Sequence, residues 1–274
     1  MKAVNYKFLL PFLVLFFANN LLFSQAEADK PMYLTATTMH WNANLDNFSQ
    51  DEWKAVEKEY FDKVVMKNEF IKGSNVAIHY FTADNTEIIF VYVYENWDAI
   101  KKAQDRFEEL EKQAWPDEKK RTAFFEKRES YYDGHHSDEI YATLPGAKMM
   151  PKIADKQMVY YLRKSSFAKP KDGSEKEFNE LNKQLFDAVI NKNEFIKAYY
   201  PHRHAWGSNS TDFLEVFVVE SLGDIEKAFK RDDELFKAQW KDEKSQKEFD
   251  KKMGKYFHKT HSDYIYRSVV GLEK

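Results

Sequence analysis

The sequence predicts an α+β fold built from two tandem units, each with the element order β-α-β-β-α-α-β. Three observations lead there. First, the chain is written twice. Asn68–Lys72 (NEFIK) recurs as Asn193–Lys197, and His136–Tyr141 (HSDEIY) recurs as His261–Tyr266 (HSDYIY), both at an offset of 125 residues. Sliding Phe61–Tyr141 over Phe186–Tyr266 aligns 33 identical residues in 81 positions, far above chance. A unit of this length is a duplicated domain, not a solenoid repeat. Second, one segment of each copy carries apolar residues at helical spacing. Third, the segments after it alternate or run β-branched and aromatic between turn residues.

The elements follow in order. An opening strand is expected at Tyr33–Met39, matched by Met158–Arg163. Trp53, Val56, Tyr60, Phe61, Val64 and Val65 then mark one face of an amphipathic helix, and Phe178, Leu181, Leu185, Phe186, Val189 and Ile190 repeat it. Asn68 and Asn193 fall where a left-handed C-cap residue would end those helices. A hairpin comes next. Its strands are expected around Val76–Phe81 and at Glu87–Tyr94, joined through Ala83-Asp84-Asn85. The second copy turns through Gly207–Ser210 into Asp212–Val219. Ile100, Ala103, Phe107 and Leu110 give the next helix its face. Asp117 and Asp242 are placed to cap a third helix. The strand Asp138–Thr143 closes the unit.

The N-terminus reads differently. Lys2 and Lys7 flank no acid, Phe8–Ala18 is unbroken apolar sequence, and Ser24 and Ala26 sit at −3 and −1 of a cleavage site. This is the pattern of a secretory signal peptide over residues 1–26. The apolar run of 11 residues is well short of the roughly 20 that a membrane span needs. The expected organisation is therefore a signal peptide (1–26), a first repeat (27–146), a linker (147–156) and a second repeat (157–274). That predicts an exported protein, periplasmic or extracellular, with no membrane attachment after cleavage. There are no cysteines, which removes disulfides, thiolate metal sites and a cysteine nucleophile. With 42 basic against 45 acidic residues and no polybasic block, a nucleic-acid partner is not expected. No P-loop, dinucleotide fingerprint, nucleophile elbow or HExxH helix occurs.

The element order is ferredoxin-like. Phe90–Trp97 (FVYVYENW), running straight into an Asp-led helix, resembles the dimeric α+β barrel superfamily, to which the antibiotic-biosynthesis-monooxygenase-like proteins belong. Leu222 stands at the Trp97 position of the second copy. The resemblance implies two antiparallel sheets facing each other with helices outside. Two fused copies would close that barrel within one chain, replacing the usual two-fold dimer and predicting a monomer.

In such a barrel, the stripe Ile89, Val91 and Val93, matched by Leu214, Val216 and Val218, is expected to face the helices. The reverse face carries Phe90 and Tyr92 in one copy and Phe213, Glu215 and Phe217 in the other, and is expected to line the interior. Glu215 stands out there as a carboxylate that needs a partner or a raised pKa, or else a place at the open mouth.

Five histidines matter most: His79 and His204 at equivalent hairpin positions, His202 two residues before His204, and His136 and His261, each two before an aspartate (Asp138, Asp263). Within one sheet the His79 and His136 strands are opposite edges, about 14 Å apart. Barrel closure would bring His79 to His261 and Asp263, and His204 to His136 and Asp138. The first reading of the His-Ser-Asp segments is turn-ordering by side-chain hydrogen bonds. An acid–base or polar ligand site comes second, and a Zn²⁺ or Fe²⁺ site third, so no residue is assigned as a metal ligand.

The function expected from all this is the binding of a small apolar or aromatic molecule in the barrel interior. Its candidate residues are His136, Asp138, His261, Asp263, Phe90, Tyr92, Phe213 and Phe217. The resemblance allows a monooxygenase-like or haem-related enzyme as the alternative, with His79, His204 and Glu215 as catalytic candidates; the sequence names no cofactor. A barrel filled by its own side chains, acting through its surface, is the third reading.

Overall fold

Eight antiparallel strands close into one barrel in the order β1-β3-β2-β8-β5-β7-β6-β4. The computed structural model describes residues 30–274, so the signal-peptide segment read at 1–26 lies outside the described residues. In the first repeat, β1 (Tyr33–Trp41) leads to α1 (Gln50–Lys63), then to the hairpin β2 (Gly73–Phe81) and β3 (Glu87–Tyr94). The helices α2 (Trp97–Ala114) and α3 (Glu118–Glu129) and the strand β4 (Tyr132–Thr143) complete it. The second repeat gives β5 (Val159–Phe167), α4 (Glu175–Ala188), β6 (Ala198–Trp206), β7 (Asp212–Val219), α5 (Gly223–Gln239), α6 (Glu243–Gly254) and β8 (Phe257–Ser268). This is the predicted α+β order, twice. Among the described residues no helix is long and apolar enough to cross a membrane.

Local chemistry sets the element ends. Ser49 and Ser174 cap α1 and α4 by accepting from Glu52 N and Glu177 N. Asp117 and Asp242 cap α3 and α6, each accepting at 2.9 Å from a backbone N–H three residues on. Asn68 and Asn193 do not take the left-handed conformation expected of them. Both follow a 3-10 turn in extended backbone, with φ of −80° and −75°. Both are fully buried, and their amides do the work instead. Asn68 Nδ2 donates to Ala103 O at 2.9 Å and its Oδ1 accepts from Phe70 N. Asn193 makes the same two bonds to Ala228 O and Phe195 N. Each asparagine thus ties the start of a hairpin strand to the middle of the following helix.

Two seams weld the repeats: β2 pairs with β8, and β4 with β6. The last strand of each copy therefore lies beside the hairpin edge of the other, as expected. The two faces of the sheets, however, are inverted relative to the prediction. Val91, Val93 and Val216 pack with Leu34, Ala36, Tyr141, Leu162 and Leu214, drawn from both repeats and from strands alone; this is the barrel interior. Phe90 and Tyr94 pack instead beneath α1 and α2, with Trp53, Val56 and Tyr60. Phe213 and Phe217 lie beneath the helices of the second repeat. The reason is space. An eight-stranded barrel is only wide enough to be filled by side chains, and its middle is filled by Val91, Val93, Leu162, Leu214 and Val216 with the Tyr141 ring among them. The hairpin phenylalanines pack in the gap between sheet and helices.

Candidate functional site

The inverted faces move the site. Phe90 and Tyr92, expected in the interior, belong to the first-repeat core, where Tyr92 lies 5.7 Å from the Phe107 ring. Phe213 packs against Phe178 and Phe257. None of these aromatic side chains lines the barrel.

His79 and His204 do face the interior, on strands half the barrel apart. The His–His–Asp clusters proposed across the seams do not form. His79 registers with Tyr266, and His204 with Tyr141. His261 and His136 lie five residues further along those strands, about 17 Å away at strand rise, and on the opposite face. His79 Nδ1 instead meets Thr82 Oγ1 at 2.7 Å. Each histidine of the last strands pairs with its own aspartate: His136–Asp138 at 3.3 Å and His261–Asp263 at 3.1 Å, all four groups about half-exposed. Among the described residues no group of three or more His, Asp or Glu side chains is placed to hold a metal ion.

What the structure does bring together is a polar cluster beneath α5 in the second repeat. Strand register sets Glu215 on β7, Arg163 on β5 and Asp263 on β8 side by side on the helix-facing surface. Tyr199 on β6 donates its hydroxyl to Glu215 Oε1 at 2.7 Å. Tyr161 donates to Asp263 Oδ1 at 2.6 Å and accepts from Arg163 Nε and an Nη, at 3.1 and 2.9 Å. Asp232 enters from α5 and accepts from Asn193 Nδ2 at 2.7 Å. Phe229, also on α5 and 43% exposed, stands edge-on over the Tyr161 ring at 5.3 Å. The gap between α5 and the sheet holds a cavity of about 10 Å³, walled by Tyr161, Ile196, Phe217, Ala228, Phe229 and Asp232. That is room for one water.

Burial pushes the Glu215 carboxyl above the usual carboxylate range. Tyr199 and Arg163 oppose the rise, and Asp232 adds to it. Asp232 is likewise raised by burial, against the Asn193 hydrogen bond and the charges of Arg163 and Lys148. The Tyr161 phenol is pushed up to about 12 by burial and by its bond to Asp263. Two groups poised toward protonation beside a guanidinium can take up or release a proton, or meet a polar group of a ligand.

The first repeat has no such cluster. Ser74, Phe90 and Phe107 stand where the second repeat has Tyr199, Glu215 and Asp232, and Thr35 and Thr37 register where Tyr161 and Arg163 do. Its own polar group lies elsewhere beneath the helices and is closed. Arg128 holds Glu57 through two bonds at 2.9 and 3.0 Å, Tyr132 donates to Glu57 at 2.6 Å, and Trp53 donates to Tyr132 at 2.7 Å. The sequence reading flagged Glu215, Phe217, His261 and Asp263. It missed Tyr161, Arg163, Tyr199 and Asp232, whose signal was a polar residue facing a small or apolar one in the other copy.

No protein-family model and no curated protein sequence matches the chain. Solved structures do. A candidate monooxygenase from Fusobacterium nucleatum is 13% identical, with a TM-score of 0.55 over 87% of this chain and 93% of that one. A mutant chlorite dismutase from Candidatus Nitrospira defluvii is 10% identical, with a TM-score of 0.52 over 88% and 92%. An anthrone oxidase-like protein is 8% identical, with a TM-score of 0.51 over 90% and 94%. The likeness is one of fold: the protein has the dimeric α+β barrel fold of the monooxygenase-like and chlorite dismutase-like proteins, built as a tandem duplication in one chain.

Proposed function

We propose that the protein binds a small, apolar-bodied molecule in the cleft between α5 and the sheet of the second repeat, not in the barrel interior. The observation that carries this reading is Glu215. A part-buried carboxyl raised by burial and bonded to Tyr199 sits on an otherwise aromatic face, and only one of the two copies has it. Groups whose ionisation is shifted by burial and a charged neighbour cluster at functional sites, and a few polar groups in an apolar cleft are what orient a bound ligand. The middle of the barrel interior is packed by Leu34, Tyr141 and Leu214. The N-terminal sequence pattern supports export, and the internally closed barrel supports a monomer.

The test is a screen of aromatic fragments by two-dimensional amide NMR. Shifts are expected to cluster at Tyr161, Glu215 and Phe229, and Glu215→Gln should weaken binding at least tenfold. Shifts confined to strand residues of the interior, such as Val91 and Val216, or unchanged affinity in Glu215→Gln, would refute the reading.

A second reading, a monooxygenase-like enzyme, is favoured by the raised Glu215 carboxyl together with the structures the fold resembles. Glu215 would then be the group that accepts a substrate proton. A haem does not fit. The cleft lining offers no imidazole or thioether as an axial ligand, and its tyrosine, Tyr161, is tied to Asp263.

A further inference from the structure

The cleft has room for only about one water in this structure, so the element above it decides access. That element is α5, and it is held less firmly than its counterpart α2. Only Ala228 of α5 is buried, whereas α2 buries Ala99, Ala103 and Leu110. Asn96 caps α2 by accepting from Ala99 N at 2.9 Å, while α5 begins at Leu222 without a side-chain cap. Ile225, Leu235 and Phe236 of α5 pack partly buried beneath it, but a helix with one fully buried side chain and no side-chain N-cap opens at lower cost than one with three and a cap. The Asn193 amide, bonded to Ala228 O, fixes the middle of the helix and would serve as the pivot.

Two carboxyl groups lie in the layer between α5 and the sheet: Asp232, on α5, lines the cavity, and Glu215, on β7, is close enough to feel its charge; each is raised by burial. The other charges facing the gap are largely committed. From β5, Arg163 bonds Tyr161 and lies 3.6 Å from Asp263. From β8, Asp263 also pairs with His261. From β6, Tyr199 donates its hydroxyl hydrogen bond to Glu215. From the linker, Lys148 donates to Asn193 O at 2.8 Å, and Arg231 on α5 is bound to Glu194 at 3.0 Å.

We propose that α5 is a proton-operated lid over this cleft, seated when Glu215 and Asp232 are protonated and lifted when both are ionised. The sign follows from linkage. A carboxyl whose pKa is raised in the seated state favours that state at low pH. The preference is lost as pH rises through the range in which the exposed group ionises and then the seated one. In the lifted state both carboxylates regain water. The proposal deepens the cleft reading by adding its regulation, yet its test needs no ligand.

The experiment is amide hydrogen exchange on the full chain from pH 5 to pH 8, corrected for intrinsic exchange, with α2 as the internal reference. Protection in α5 should fall by about tenfold or more across that range while α2 stays level. Glu215→Gln and Asp232→Asn should each remove most of the fall. Equal pH dependence in α5 and α2, or an unchanged fall in both variants, would overturn the lid. Should either variant fail to fold, the comparison of α5 with α2 in the unmodified protein decides alone. A flat α5 profile with fragments still bound at Glu215 would reject the lid and leave the binding site standing.

Discussion

Removing Arg128 alone should be among the most damaging single changes in the first repeat. Its guanidinium makes a two-pronged bond to Glu57, which is only 3% exposed, and lies 4.0 Å over the Tyr60 ring. Arg128→Met would leave the Glu57 carboxylate buried with the Tyr132 hydroxyl as its remaining partner. Breaking a buried pair from one side costs about 3–5 kcal/mol, because the survivor is an uncompensated charge. The duplication supplies the control. At the equivalent positions the second repeat carries Phe178, Asn182, Met253 and Phe257, with no charge among them. The fourfold change Trp53→Phe, Glu57→Asn, Arg128→Met and Tyr132→Phe should therefore recover most of the loss, to within about 2 kcal/mol of the unmodified protein. Urea unfolding at pH 7, read by far-UV circular dichroism and extrapolated to water, measures both. A loss under about 1 kcal/mol for Arg128→Met, or a fourfold variant less stable than the single one, would refute the reasoning.

Three other outcomes are expected. Leu214→Ala should cost about 2–5 kcal/mol in the same assay, since Leu214 fills the barrel with side chains from both repeats; a loss below about 1 kcal/mol would mean the interior is not packed. His202, 7% exposed, is held down to about 4 by burial, so the native state keeps it neutral. Stability should then fall by about 3 kcal/mol as pH drops from the unfolded value near 6.5 through 4, and His202→Leu should flatten that part of the profile. Gly207→Ala should destabilise by about 2 kcal/mol, because φ is +140° and a Cβ would overlap Glu139 Oε2, the carboxylate whose other oxygen receives Ser208 N and Oγ. Glu139→Ala should relieve the steric part of that loss.

The architecture was readable because duplication prints the same pattern twice. The strands Glu87–Tyr94 and Asp212–Val219 and the caps Asp117 and Asp242 stand where periodicity and capping chemistry put them. The faces were not readable. Both sides of these sheets are buried, so alternation between Val91 and Phe90 separates two apolar sets without saying which lies inside. Barrel width settles that, and the width belongs to the closed eight-stranded whole. The histidine clusters failed for a related reason. Strand adjacency across the seams was predictable, but the register between β2 and β8, which sets Ala77 opposite Ser268 and His79 opposite Tyr266, is announced by no local signal. Glu215 was conspicuous from sequence as an acid between two phenylalanines. Its partners Arg163, Tyr199 and Asp232 come from three other elements, and only the fold brings them to it.

The central claim is that the ligand site lies between α5 and the second-repeat sheet. A crystal structure of the protein with a bound fragment tests it most directly. The account predicts ligand density beneath a displaced α5, against Phe217 and Phe229 and within hydrogen-bond distance of Glu215. Density in the barrel interior beside Leu214, or in the matching gap of the first repeat, would contradict it.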